Sequence, residues 1–246
     1  MAKPIQNPKD IFPDITQDLR ETFGDDLVSI VLYGSAAGKH YRPGKSDINF
    51  MVVLSDAGIH GLDRAFPLIK KWRKRKVAVP LFLTERYVET SLDVFPIEYL
   101  NFQLNYVPVY GKNILEDLNF DRDMVRLQCE REIKGKLLIL REAFLETAGE
   151  ARRLKNVAVQ SLGAFLAIFE ALLYLRDQPF PEDRREIFRA VAASFDLDAS
   201  VFEALLDIKE EKRKVSDGEM LRLFGDYLKA AENLSIIVDE MGGKDE

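Results

Sequence analysis

The spacing of hydrophobic positions changes near residue 112. Before it, apolar residues come mostly in short runs; after it, they recur every three or four positions over long stretches. Ile15, Leu19 and Phe23 have helical spacing, with Asp10 as a candidate cap and Gly24 as a stop. Leu27 to Leu32 is rich in valine and isoleucine and fits a buried strand. Ile48 to Leu54 is a second such run, expected beside the first. Between them lie Tyr33-Gly34-Ser35 and a loop containing Pro43 and Gly44. The spacing from Leu62 to Trp72 predicts a helix that ends in the basic run Lys70 to Lys76. Val77 to Leu83 reads as a third strand, Glu85 to Ser91 as a short helix, and Phe95 to Leu104 as a fourth strand with Pro96 near its start.

Beyond Gly111 the strand pattern stops. Asp121 opens a helix to about Thr147, and Gly149 separates it from a second over Ala151 to Arg176. Pro179 and Pro181 break the chain, and Asp198 caps a helix from about Ser200. Ser216 with Glu219 forms a capping-box pattern before the last helix, which runs to about Met241. The expected organisation is a mixed-sheet α/β domain over residues 1–115 and an all-α helical bundle over 116–246. A chain of 246 residues is long enough for two cores.

Composition narrows the chemistry. Residues 1–119 hold 15 basic and 15 acidic side chains, so the net charge of −6 belongs to the helical half. An acidic protein is not built as a general nucleic-acid binder. One cysteine, Cys129, and two histidines, His40 and His60, leave no multi-cysteine zinc site, so any metal must be held by oxygen ligands such as those Mg²⁺ prefers. No run approaches the ~18 consecutive apolar residues of a membrane span, and the start lacks a secretory pattern, so a cytoplasmic location is expected.

The informative stretch is Leu32-Tyr33-Gly34-Ser35, followed about a dozen residues later by Ser46-Asp47-Ile48-Asn49. Residues two apart on a strand share a face, so side chains 47 and 49 project together toward the loop after the first strand. An acidic pair so placed holds two Mg²⁺ ions roughly 4 Å apart. A Gly-Ser turn lets backbone amides and a hydroxyl come close to phosphates.

These residues resemble the nucleotidyltransferase superfamily, with its polymerase-β-like catalytic domain: a hydrophobic strand, Gly-Ser, about ten residues, then Ser-Asp-hydrophobic-Asp. The aminoglycoside adenylyltransferase and kanamycin nucleotidyltransferase-like branch, which adds a C-terminal helical bundle, is the most similar. Phe95-Pro96-Ile97-Glu98-Tyr99 resembles the family's third acidic strand, and Val107-Pro108-Val109-Tyr110-Gly111 the segment after it. The resemblance implies nucleotide contacts from Gly34, Ser35, Lys45 and Ser46, metal ligation by Asp47, Asn49 and Glu98, and catalysis by Asp47 with Glu98. It implies Mg²⁺ as cofactor, with an NTP and a small-molecule or protein hydroxyl acceptor as partners. Asn49 stands where the family has its second aspartate. Its neutral amide bridges two cations poorly, so a nucleotide-binding or protein-interaction module is the competing reading.

Other candidates have plainer explanations. Lys70 to Lys76 around Trp72 fits either contacts to nucleic-acid phosphates or a solvated helix terminus. Lys39, Arg42 and Lys45 suit a triphosphate or simple solubility. Phe165, Phe169 and Tyr174 read as bundle core, as does Cys129. The acidic helical half suits a cationic acceptor or a solvated surface.

Overall fold

In the computed structural model, which describes residues 4–242, strand β1 (Leu27–Tyr33) occupies the inside of a four-stranded sheet. It pairs antiparallel with β2 (Asn49–Leu54) on one side and with β4 (Tyr106–Gly111) on the other. β3 (Leu81–Thr84) lies parallel to β2, giving the order β3-β2-β1-β4 and a mixed sheet.

Alternation along the strands gives each face its own partners. Ile30, Leu32, Phe50, Val52 and Leu54 form one core with Ile15, Leu19 and Phe23 of helix α1 (Phe12–Phe23) and Leu68 and Trp72 of helix α2 (Phe66–Arg73). Burying each such side chain contributes about 1.5–3 kcal/mol. Val31, Met51 and Val53 point the other way and are also buried. Tyr33, on that second face, meets Phe102 of helix α4 (Pro96–Leu104) at 4.7 Å between ring centroids. Helix α3 (Glu85–Glu89) starts at Thr84, whose hydroxyl accepts from the Tyr87 amide.

Several elements differ from the sequence expectation. Phe95 to Leu104 is not a fourth strand but α4: Pro96 takes the helix-opening position, where its missing N–H and fixed φ are harmless. The apolar residues of this short run satisfy both periodicities, and strand pairing falls instead to Tyr106–Gly111. The third strand is shorter than expected. Val77 makes one parallel bridge to Ile48, and the ladder resumes only at Leu81, after Pro80, which has no N–H to donate. Gly58–Ala65 is 3₁₀ rather than α-helical, and Pro8–Ile11 forms a 3₁₀ turn capped by Asn7, ahead of α1.

The chain divides into two compact units, Met1–Phe120 and Asp121–Glu246. The second consists of α5 (Arg122–Glu146), α6 (Ala151–Leu175), α7 (Arg184–Phe195), α8 (Ser200–Lys209) and α9 (Asp217–Glu240). Asp121, Asp183 and Ser216 cap α5, α7 and α9 by accepting first-turn amides. Phe165, Phe169, Phe188, Phe202 and Tyr227 form a connected aromatic core. α6 is long and apolar enough to cross a membrane by length and composition, and it packs against α5, α7, α8 and α9 inside this unit. The Cys129 thiol is fully buried, and burial pushes its pKa up to about 12.

Candidate functional site

The topology gathers four junctions at one end of the sheet. β1 ends where antiparallel β2 begins; β3 begins there because it is parallel to β2, and β4 because it is antiparallel to β1. Gly34-Ser35 follows β1, Ser46-Asp47 precedes β2, Lys76-Val77 precedes β3, and Asn105 precedes β4. Strands lie about 4.8 Å apart, so the row from the Gly34 turn to Lys76 crosses two strand spacings, about 10 Å.

Gly34 opens a 3₁₀ turn, Gly34–Ala36, with φ of 75°, the left-handed region that favours glycine. Its N–H donates to the Asn105 carbonyl at 2.9 Å. That amide is therefore engaged, and the half-buried Ser35 hydroxyl is a polar group the turn offers. A Cβ on Gly34 would sit 3.7 Å from the Asn49 amide nitrogen, which places the half-buried Asn49 side chain directly over the turn. The Ser46 hydroxyl accepts from the Arg42 amide at 3.0 Å and closes the loop. Lys45 and Asp47 are exposed. Burial raises the Tyr33 phenol above its ordinary pKa, so it stays protonated beside Gly34.

Two cations join this end. A surface cavity of about 410 Å³ is lined by Asp47, Arg73, Lys76, Val77, Ala78 and Val79. Lys76 has φ of 67°. The Val77 amide donates to the Trp72 carbonyl and the Lys76 amide to the Arg73 carbonyl, the paired pattern of a Schellman helix end with Lys76 at its left-handed position. Glycine is the usual residue there, and a side chain costs roughly 1–2 kcal/mol. The Lys76 carbonyl accepts from the Ile48 amide and the Ile48 carbonyl from the Ala78 amide, which ties this helix end to the residue after Asp47. Trp72 anchors the helix from beneath: it is 2% exposed, and its indole N–H donates to Asp18 at 2.7 Å. A buried indole has no face for a nucleic-acid base. Lys71 pairs with Asp18 and Arg75 lies over the indole, so part of the basic run is structural.

Glu98 does not join them on a strand. It is exposed in the first turn of α4, where its charge complements the helix dipole. At 1.5 Å per residue it lies about 10 Å along the axis from Asn105 at the helix end. Among the described residues no three His, Cys, Asp or Glu side chains are grouped to hold a metal. One carboxylate, one amide and two cations do not fit a two-Mg²⁺ site, and Glu98, on a helix, forms no third acidic strand.

Sequence alone pointed to Gly34, Ser35, Asp47 and Asn49, and they share one end of the sheet. It noted Arg73 and Lys76 only as part of the basic run Lys70 to Lys76, without placing them at this end, and it missed Asn105. A signal was present for Lys76: in a β-α-β crossover, the residue before the second parallel strand lies at the same sheet end as the residue before the first.

No protein-family model matches the chain, and no curated protein does. Among solved structures it is similar to spectinomycin adenyltransferase AAD(9) from Enterococcus faecialis, crystallised with ATP and spectinomycin. The TM-score is 0.52 at 14% identity, over 93% of this chain and 99% of that chain. The chain therefore shares the two-domain fold of that enzyme, a mixed-sheet α/β domain followed by a helical bundle domain.

Proposed function

We propose that this protein binds a nucleoside triphosphate at the sheet end formed by Ser35, Asp47, Asn49 and the basic residues around them, and that nucleotidyl transfer is impaired. The observation carrying this reading is the convergence of the Gly34-Ser35 turn with Asp47 and Asn49, in a fold shared with an enzyme solved with ATP. Against efficient transfer stands the donor set: a neutral amide lies over the turn where the resemblance calls for a second carboxylate. The roles left to the chain's own residues are binding ones. Ser35 donates a hydrogen bond to a phosphate oxygen, Lys45 supplies charge from the loop, and Ser46 holds that loop in shape.

A second reading is favoured by the structural neighbour, whose crystals contain ATP and spectinomycin. In it the protein transfers a nucleoside monophosphate to a hydroxyl of a small molecule, and the net negative helical half receives a cationic acceptor.

Calorimetry with ATP, GTP, CTP and UTP, paired with a pyrophosphate-release assay over hydroxyl-bearing acceptors, separates the readings. Binding at sub-millimolar concentration without pyrophosphate release is expected, and Ser35→Glu, which puts a carboxylate in the phosphate position, should abolish it. No binding of any nucleotide to the parent refutes the proposal. Turnover of about 1 s⁻¹ or faster, ordinary for enzymes, replaces it with the transfer reading.

A further inference from the structure

The residues around Asp47 carry more positive than negative charge. Arg73 and Lys76 share its cavity. Among the described residues none of these three side chains has a hydrogen bond or ion pair, whereas Lys71 and Arg75 of the same run are tied to Asp18, Asp14 and the Trp72 ring. Two free cations and one carboxylate leave this cavity net positive. A Mg²⁺ ion arriving on the phosphates would find one carboxylate to share with them, and two like charges beside it that repel it and compete for the same oxygens. Lys76 is also fixed in place: the Schellman end of α2 and the bridge to Ile48 hold its backbone in the left-handed conformation that glycine adopts more readily. A lysine kept there brings a positive charge beside Asp47 that glycine would not.

We infer that Arg73 and Lys76 neutralise the polyphosphate themselves, so that the ligand is the metal-free nucleoside triphosphate rather than its Mg²⁺ complex. This rests on the nucleotide-binding reading above and adds the form of the ligand and the residues that select it. A planar guanidinium suits two phosphate oxygens at once, and an ammonium serves as a point charge beside it. The positive groups then stand at one end of the row, with the Ser35 hydroxyl at the other, about two strand spacings away. Millimolar Mg²⁺ would compete with both side chains for the same phosphate charge.

The test is titration of ATP into the full chain by calorimetry, once with EDTA and once with millimolar Mg²⁺. The parent and the variants Arg73→Gln, Lys76→Gln and the double change are compared, each checked for folding by circular dichroism. Affinity in EDTA should equal or exceed that in Mg²⁺. Each exposed charge contact is worth a few-fold in affinity, so the double variant should bind about tenfold more weakly or worse. The charge-conserving pair Arg73→Lys with Lys76→Arg should keep most of the affinity, which a purely structural role for these residues would not predict. Binding that requires Mg²⁺ overturns the inference and leaves the nucleotide site standing. Metal-free binding that ignores both glutamine variants overturns it as well. Absence of binding in both buffers removes the nucleotide reading and this inference with it.

Discussion

Replacing Glu170 by glutamine should remove a pH dependence from the helical unit and stabilise it above neutrality. Glu170 lies on α6 between the buried Phe169 and Ala171, and burial pushes its carboxyl up from 4.5 to about 7, with Arg184 at the start of α7 pulling weakly the other way. A folded-state pKa above the unfolded one means that the folded protein holds the proton more tightly. The stability contributed is therefore complete below 4.5 and is lost as pH rises through about 7. Each pH unit between the two values corresponds to about 1.4 kcal/mol, so full ionisation costs about 3 kcal/mol. Domains are typically stable by only about 5–15 kcal/mol, so the loss is large. Urea denaturation followed by far-ultraviolet circular dichroism, at intervals from about pH 5 to pH 9, measures it. The parent should weaken across this window, and Glu170→Gln should stay level and exceed the parent at the alkaline end by about 3 kcal/mol. Glu130 does not confuse the result: hydrogen bonds from Lys134 and Arg126 hold its pKa down to about 2, so its contribution is lost only on the acid side. A parent equally stable at both ends, or a glutamine variant with the parent's slope, would show that water reaches Glu170 and that the cost assigned to burial is wrong.

Three further outcomes are expected. Asn49→Asp places a second carboxylate over the Gly34 turn, so ATP affinity in that variant should become Mg²⁺-dependent by about tenfold, seen in calorimetry with and without EDTA. Gly111→Ala should fail to fold or unfold at much lower urea, because φ is 73° and the new Cβ would lie 2.0 Å from the Val28 carbonyl oxygen, in backbone that cannot move aside. A fragment spanning Asp121–Glu246 should fold by itself into a strongly helical, cooperatively melting unit, and substantial β signal in its circular dichroism would contradict the division of the chain there.

What was legible in the sequence was local. The buried strands from Leu27 and Ile48 announce themselves by short apolar runs rich in valine and isoleucine, and the helices after Asp121 and Ser216 by caps that the structure uses. Gly34 was readable because a turn after a buried strand needs its conformation. Glu98 was misplaced because Pro96 suits both a strand start and a helix start, and nine residues are too few for periodicity to decide. Lys76 was passed over because its position comes from closure of the crossover onto β2, a contact nearly thirty residues away in sequence. Charge in the surrounding run hid it: Lys71 and Arg75 serve Asp18, Asp14 and Trp72, and composition cannot tell them from Arg73 and Lys76.

The central position of β1 has a consequence for how the polypeptide reaches this state. One flank of β1 can pair as soon as β2 is available, but the other waits for β4, with some seventy residues intervening. Closing so long a loop is slow relative to forming helices whose contacts are mostly local. The helical unit should therefore regain its structure while the sheet still lacks β4. The single tryptophan of the chain, Trp72, belongs to the sheet unit and is buried there, so its fluorescence reports that unit and not the helices of the other. In a stopped-flow refolding experiment the ellipticity of the helices should recover first and the indole signal afterwards, which makes one natural chromophore a clock for one half of the molecule.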